Sequence, residues 1–305
     1  MEGVPSEGGL TPFPLGRPAR MAVLASGRGT NLEALLQAFP PGNPWGEVVL
    51  VLSDNPEAYA LERARSRGVE AVALPWRGRR AFEAEALALL AQKGVDLVLL
   101  AGFMRLLSPG FVEPWYGRLL NIHPSLLPDY PGLHVHQRVL AAGERETGST
   151  VHFVDQGMDT GPILLQGRVP VLPGDTPKTL ESRVLFLEHR LYPKAVRLLL
   201  LGLAFPPPKG LGGLLGEEAA RRFEALSPRE RPLYLRAWAL LRAWGQEALA
   251  GLAFLGQGGV WGQGAFLTAH LLAQDHPALR AELATLPEAV RTRAEAVLKR
   301  VESPL

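Results

Sequence analysis

MAVLASGRGTNLEALLQAF, residues 21–39, joins a short aliphatic run through a glycine-containing turn to a longer segment whose apolar residues recur at helical spacing. The alternation repeats outward along the chain: EVVLVLSD (47–54) then PEAYALERARSRG (56–68), VEAVALP (69–75) then RAFEAEALALLAQKG (80–94), and DLVLLAGF (96–103). Aliphatic runs this short, without polar alternation, suit strands buried on both faces, and the helical segments between them suit crossover connections. The pattern therefore predicts an α/β fold, a doubly wound and mostly parallel sheet covered by helices on both sides.

Beyond Leu119 the texture changes. LLNIHPS, STVHFVD and PILLQGRVPV read as strands separated by short turns, so a mixed extension of the sheet is expected there. A long closing helix is expected from Pro177 through Leu201, stopped by FPPPKGLGG (205–213). The remainder is helical in period. The expected organisation is a disordered or irregular leader over 1–20, a principal domain over 21–204 and an all-helical extension over 214–305.

Composition narrows the function classes. Among 305 residues, 47 % are hydrophobic and 20 % charged, and no stretch approaches the about 18 to 20 apolar residues of a membrane span. There is no cysteine, which excludes disulfides, a thiolate nucleophile and a Cys-ligated metal. The net charge is only +2 and the basic residues are scattered among acidic ones, so neither a nucleic-acid nor a membrane partner is expected. The first residues do not resemble a secretory signal, and the cytoplasm is the expected compartment.

Three constellations could carry chemistry. Ser26-Gly27-Arg28-Gly29-Thr30-Asn31 lies between an expected strand and an expected helix, where glycines let the backbone approach an anion and the helix start supplies N–H groups. A phosphorylated ligand fits, but a plain strand-to-helix turn has the same composition. Asn121 and His123 lie two apart on an expected strand and hence on one face, where an amide and an imidazole could converge on an oxyanion. Spacing alone leaves open a turn-capping Asn and a backbone-satisfied His. In Asp155-Gln156-Gly157-Met158-Asp159-Thr160-Gly161-Pro162 a carboxylate could reach that imidazole, although an Asp in such a loop is commonly a turn-former. His134, His136 and His189 have no zinc-site spacing, and no metal is expected.

Five blocks in this order and spacing closely resemble the glycinamide ribonucleotide formyltransferase family: SGRGTNL (26–32), LLAGFMRLLSP (99–109), NIHPSLLPDYPGLHVHQRVL (121–140), STVHFVDQGMDTGPI (149–163) and LEHRLYP (187–193). The resemblance runs from Met21 to about Leu201. It implies transfer of the formyl group of 10-formyltetrahydrofolate to the amino group of glycinamide ribonucleotide, a step of purine biosynthesis, through a tetrahedral intermediate. It implies a catalytic trio of Asn121, His123 and Asp159, with His152 in support. Gly29, Thr30 and Asn31 would hold the nucleotide phosphate, and Glu188 with its preceding turn would contact the glycinamide and ribose.

For the folate, the resemblance implies a wall of Met104, Arg105, Leu106 and Leu107, a further contact at Asn121, and a closing loop from Asp155 through Gln156, Gly157 and Met158 to Asp159. Read without it, Met104, Leu106 and Leu107 would be core residues. Arg79 stands where the family has an arginine near the folate tail, with Arg80 as competitor. The expected partners are small-molecule substrates, with a homodimer left open. The alternative is another formyltransferase using the same donor, such as methionyl-tRNA formyltransferase, whose tail should be a β-barrel. A formyltetrahydrofolate hydrolase would carry a regulatory domain ahead of the loop, and a catalytically silent binding module should have lost one of the trio.

Overall fold

The aliphatic runs pair into one seven-stranded sheet in the order β3-β2-β1-β4-β5-β6-β7. The strands are β1 (Ala19–Leu24), β2 (Gly46–Ser53), β3 (Glu70–Ala73), β4 (Leu97–Leu100), β5 (Leu119–His123), β6 (Glu146–Phe153) and β7 (Ile163–Pro170). The helices are α1 (Thr30–Ala38), α2 (Tyr59–Ser66), α3 (Arg79–Gln92), α4 (Pro109–Val112), α5 (Val135–Ala141) and α6 (Pro177–Leu200). The structure is a computed structural model and describes residues 11–13 and 15–200, with 224, 225, 227, 228 and 231. The expected helical extension and most of the leader lie outside the described residues. Leu15–Val196 form one compact unit, which contains all seven strands.

β1 to β5 run parallel, and β6 and β7 return antiparallel, as the change of texture after Leu119 predicts. β1 begins at Ala19, ahead of the boundary expected at Met21, because Arg17 is tied down: its guanidinium makes two bonds to Asp96, at 2.7 and 2.8 Å. Leu24, Leu50, Leu52, Val98 and Leu100 from the strands pack with Phe82, Ala86, Phe111 and Trp115. Burying each such large side chain favours folding by about 1.5–3 kcal/mol.

The winding reverses at β1, which has β2 on one side and β4 on the other. At such a point the loops leaving the carboxyl ends of neighbouring strands part and leave a crevice. Here those loops follow β1 (residues 25–29) and β4 (residues 101–108), and the end of β5 adds His123. The turn into α1 requires glycine: Gly29 has φ 70°, and a Cβ on it would lie 2.8 Å from the Ala60 backbone.

Helix α6 is fastened to the crevice by Tyr192, whose buried hydroxyl donates to Leu100 O at 2.8 Å, with Leu120 O at 3.3 Å. Both carbonyls belong to strands that frame the crevice. One helical turn earlier Glu188 is thereby set against β6. Tyr192→Phe should keep the ring packing but strand the hydroxyl's acceptors, lowering unfolding free energy by about 1–2 kcal/mol. Urea denaturation reads this directly, and a loss below about 0.3 kcal/mol would show that the hydroxyl does not fasten the helix.

Candidate active site

Because β5 pairs antiparallel with β6, Asn121 lies opposite His152 and His123 opposite Thr150. Asn121 Nδ2 is 3.3 Å from His152 Nε2, while His152 Nδ1 is 2.9 Å from Phe153 O. A carbonyl only accepts, so Nδ1 carries the hydrogen and Nε2 accepts one hydrogen of the Asn121 amide. Burial pushes the His152 pKa down, against the Phe153 carbonyl and the Asp159 carboxylate, which raise it. A neutral His152 is thus the group that orients Asn121.

His123 is buried between two acceptors. Its Nε2 is 2.9 Å from Tyr130 O, and its Nδ1 is 3.4 Å from Asp159 Oδ2. A neutral ring donating to the carbonyl would point its lone pair at the carboxylate, whereas an imidazolium offers hydrogen to both. The longer distance exceeds an ordinary N–H···O bond, so the Asp159 contact is one of charge rather than a tight hydrogen bond. Asp159 itself sits at φ 55°, accepts from Gly132 N at 2.8 Å and places Oδ1 3.7 Å from His152 Nε2. One carboxylate therefore faces both histidines. The structure brings the expected trio and its supporting histidine together.

The remaining carboxylate of that loop is a turn-former. Asp155 Oδ1 accepts from Gly157 N at 3.0 Å and Thr160 Oγ1 at 2.6 Å, so its contribution is to shape the segment that presents Asp159. Gln156 donates to Glu113, and Met158 is exposed.

Asn31 Nδ2 donates to Glu188 Oε2 at 2.8 Å, and Asn31 Oδ1 is buried with no partner among the described residues. Gly29 and Thr30 stand at the start of α1, and Arg63 supports their loop by donating to Arg28 O at 2.7 Å. Glu188 lies inside α6, the closing helix expected from Pro177 through Leu201. The 24 residues of that helix continue past Pro193, which gives no N–H to the ladder, with Leu180, Val184, Leu191, Tyr192, Ala195 and Val196 buried along one side. Burial pushes the Glu188 carboxyl up, against the bonds from Asn31 and Ser149 that lower it. Ser149 Oγ lies 2.9 Å from Glu188 Oε1 and 2.7 Å from His123 O. A hydroxyl has one hydrogen, so Ser149 shares it between the His123 carbonyl and the Glu188 carboxyl.

Of the residues expected to form a folate wall, Leu107 is in the core, while Met104 and Leu106 are 68 % and 48 % exposed on the loop after β4. The reading of all three as core residues fails because the chain leaves β4 at Leu100 and passes over the rim before Leu107 turns inward. Ser108, after it, is held by Glu83, whose buried carboxylate accepts from its N–H at 2.6 Å and its hydroxyl at 2.5 Å. Arg105 Nε donates to Asp54 Oδ2 at 2.6 Å. Arg79 and Arg80 are both exposed in the first turn of α3, and nothing in the structure separates them.

Asp54, Ser149 and the Tyr130 carbonyl escaped sequence reading. For Asp54 a signal existed: an acid just beyond the carboxyl end of β2, one strand from the reversal point. His134 has φ 55° ahead of α5, and burial lowers the pKa of His136 and of His189. Among the described residues, no group of three or more His, Asp and Glu could hold a metal ion, and no helix is long and apolar enough to cross a membrane.

The trifunctional purine biosynthetic protein adenosine-3 of Drosophila melanogaster is 46 % identical over 198 residues, covering 63 % of this chain and 15 % of that protein. The chain thus spans only a small part of that much longer relative. The phosphoribosylglycinamide formyltransferase of Escherichia coli is 44 % identical over 179 residues, 58 % of this chain and 84 % of its own length. The crystal structure of glycinamide ribonucleotide transformylase 1 from Symbiobacterium toebii superposes with a TM-score of 0.59 at 46 % identity, covering 62 % of this chain and 91 % of that one. Residues 19–196, more than half of the chain, match the family described as formyl transferase. β1 to β7 and every residue of the crevice fall inside that stretch, and the chain belongs to the formyl transferase family.

Proposed function

We propose that this enzyme transfers the formyl group of 10-formyltetrahydrofolate to the amino group of glycinamide ribonucleotide. The observation that carries the reading is the convergence of an oriented amide, Asn121, and an imidazole set against a carboxylate, His123 with Asp159, at the mouth of the crevice. The substrate amine attacks the formyl carbon, giving a tetrahedral intermediate with an oxyanion. Asn121 Nδ2 has two hydrogens and spends one on His152, leaving the other for that oxygen. His123 Nδ1, too far from Asp159 for a tight bond, can share its hydrogen with the oxyanion. One such preorganised donor is worth about 3–4 kcal/mol in a transition state.

The attacking amine must lose a proton and the departing folate nitrogen must gain one. Asp159 lies beside His123 and can relay that proton directly or through a water. No covalent enzyme intermediate is required, so juxtaposition of the two substrates supplies much of the rate. The cradle for the nucleotide is the Gly29, Thr30 and Asn31 turn, whose backbone N–H groups suit a phosphate, with Glu188 beside it for the ribose and glycinamide. The folate lies along Met104 to Leu107, beneath the Asp155–Asp159 loop and towards Arg79 or Arg80. Both substrates are small molecules; the cytoplasm remains the expected setting, and a homodimer remains open.

Formyl transfer to glycinamide ribonucleotide by the full chain is the direct test. Asp159→Asn keeps the shape but removes the charge facing His123 and the relay, so kcat should fall at least about a hundredfold with KM little changed. The ring-nitrogen NMR signals of His123, whose Nδ1 faces that carboxylate at 3.4 Å, should then move at fixed pH. An unmoved ring would leave only the relay role.

Gly29→Ala should separate the two substrates. A methyl group at φ 70° and 2.8 Å from Ala60 forces the turn to shift, so nucleotide affinity should drop by about tenfold or more while folate affinity stays within a few-fold. Titration calorimetry with each substrate reads both, and equal losses would show that the turn is not a dedicated phosphate cradle.

A further inference from the structure

The buried carboxylate of Asp54 has no part in the chemistry just described, yet it stands where the two substrate-binding segments meet. Asp54 is 5 % exposed, at the first position after β2. Its Oδ1 accepts from Ser26 Oγ at 2.6 Å, and its Oδ2 accepts from Arg105 Nε at 2.6 Å. Ser26 Oγ in turn accepts from Met104 N at 2.9 Å, and Ser26 N donates to Gly102 O at 3.1 Å. Asp54's own carbonyl accepts from Trp76 N at 3.3 Å, and the Trp76 ring lies under the Arg105 guanidinium, 4.7 Å from its centre. Ser26 opens the phosphate turn, and Met104 and Arg105 begin the folate wall. The segments after β1, β2 and β4 are thus joined at one charged point, buried on the side of the acid.

We infer that Asp54 is a positioning residue for formyl transfer: bonded at once to Ser26 and Arg105, it holds the phosphate turn and the folate wall at a fixed separation. This rests on the assignment of those two segments above. A carboxylate suits the position because it has an acceptor oxygen for each donor and its charge fixes the guanidinium in direction as well as distance. The bond uses Nε, so the outer nitrogens of Arg105 lie beyond it, and stacking on Trp76 limits swing of the guanidinium plane. The wall is therefore preorganised before folate arrives, which spares the ordering cost of binding.

Asp54→Asn separates positioning from structural filling. The amide oxygen can still accept from Ser26, but its NH2 then faces the Arg105 Nε–H, donor against donor, and the guanidinium must leave. Folate KM, and the dissociation constant of 10-formyltetrahydrofolate for the full chain, should rise about tenfold or more, while nucleotide KM and kcat stay within about threefold. A residue that merely supported the fold would lower thermal stability and affect both substrates alike. Folate affinity within about twofold of the original overturns the inference. Arg105→Lys, which keeps the charge but loses the planar fork, should raise folate KM selectively in the same way and add little to Asp54→Asn. If Asp54→Asn does not fold, the lysine variant decides alone, and unchanged folate KM in it overturns the role of Asp54. An unsubstituted chain that binds the folate but transfers nothing to glycinamide ribonucleotide sinks the proposed reaction and leaves the affinity test standing; one that binds no folate overturns both.

Discussion

Strand β5 imposes the constraint on which the rest of the site depends, because it is parallel to β4 on one edge and antiparallel to β6 on the other. The parallel edge brings its carboxyl end to the mouth of the crevice, where the first half of the sheet has placed its loops. The antiparallel edge brings a strand back across that same end, so that a residue of β6 faces each residue of β5. That register sets a neutral His152 against Asn121, and it sets Thr150 beside His123. A crossover helix could not deliver side chains there, since it would pack on the sheet face rather than along the strand edge.

Much of what β6 contributes is polar and buried, and burial makes each such group costly unless it is paired. Thr150 Oγ1 donates to Ser125 O at 2.7 Å and accepts from Leu127 N at 3.1 Å, fixing the chain immediately after His123. Gln166 on β7 reaches the same hydroxyl and Leu127 O, each at 2.8 Å. The path of that segment matters because it carries Tyr130, whose carbonyl holds His123 Nε2. Ser149 completes the arrangement by linking His123 O to Glu188 on α6. The imidazole is thus held from the backbone and from the ring, which limits how far it can turn away from Asp159.

The architecture was legible because hydrophobic period distinguishes a doubly buried strand from an amphipathic helix over a few residues, and β1, β2 and β4 each carry that signature. Asn121 and His123 were legible as a pair for a similarly local reason, the two-residue repeat of a strand. Asp54 was not. Its partners are 28 and 51 residues away, and only the parallel order of β2, β1 and β4 places them together. Met104 and Leu106 misled for the opposite reason: apolar residues beside a strand resemble core until the loop is seen to pass over the rim. Asp155 and Asp159 share one short loop, and sequence composition could not separate the turn-former from the residue beside the imidazole. The separation comes from backbone conformation, since Asp159 at φ 55° projects its carboxylate inward while Asp155 bonds within its own turn.

The two halves of the crevice rest on different kinds of support. Around His123 the restraints are hydrogen bonds within and between β5, β6 and their loops, with the Asp159 carboxylate facing the ring and Ser149 linking its backbone to Glu188. Around the 101–108 loop, the proposed folate wall, the restraint is an ion pair, Arg105 with Asp54, buried at the acid and partly open at the base, with side-chain exposures of 3 % and 42 %. Such a pair contributes little net stability, because desolvating the carboxylate offsets much of the attraction, but it defines direction sharply. Hydrogen bonds that fix the backbone and Nε2 of His123 leave its Nδ1 edge facing Asp159 without a tight bond. A directional ion pair suits a wall that must present the same shape to every incoming substrate.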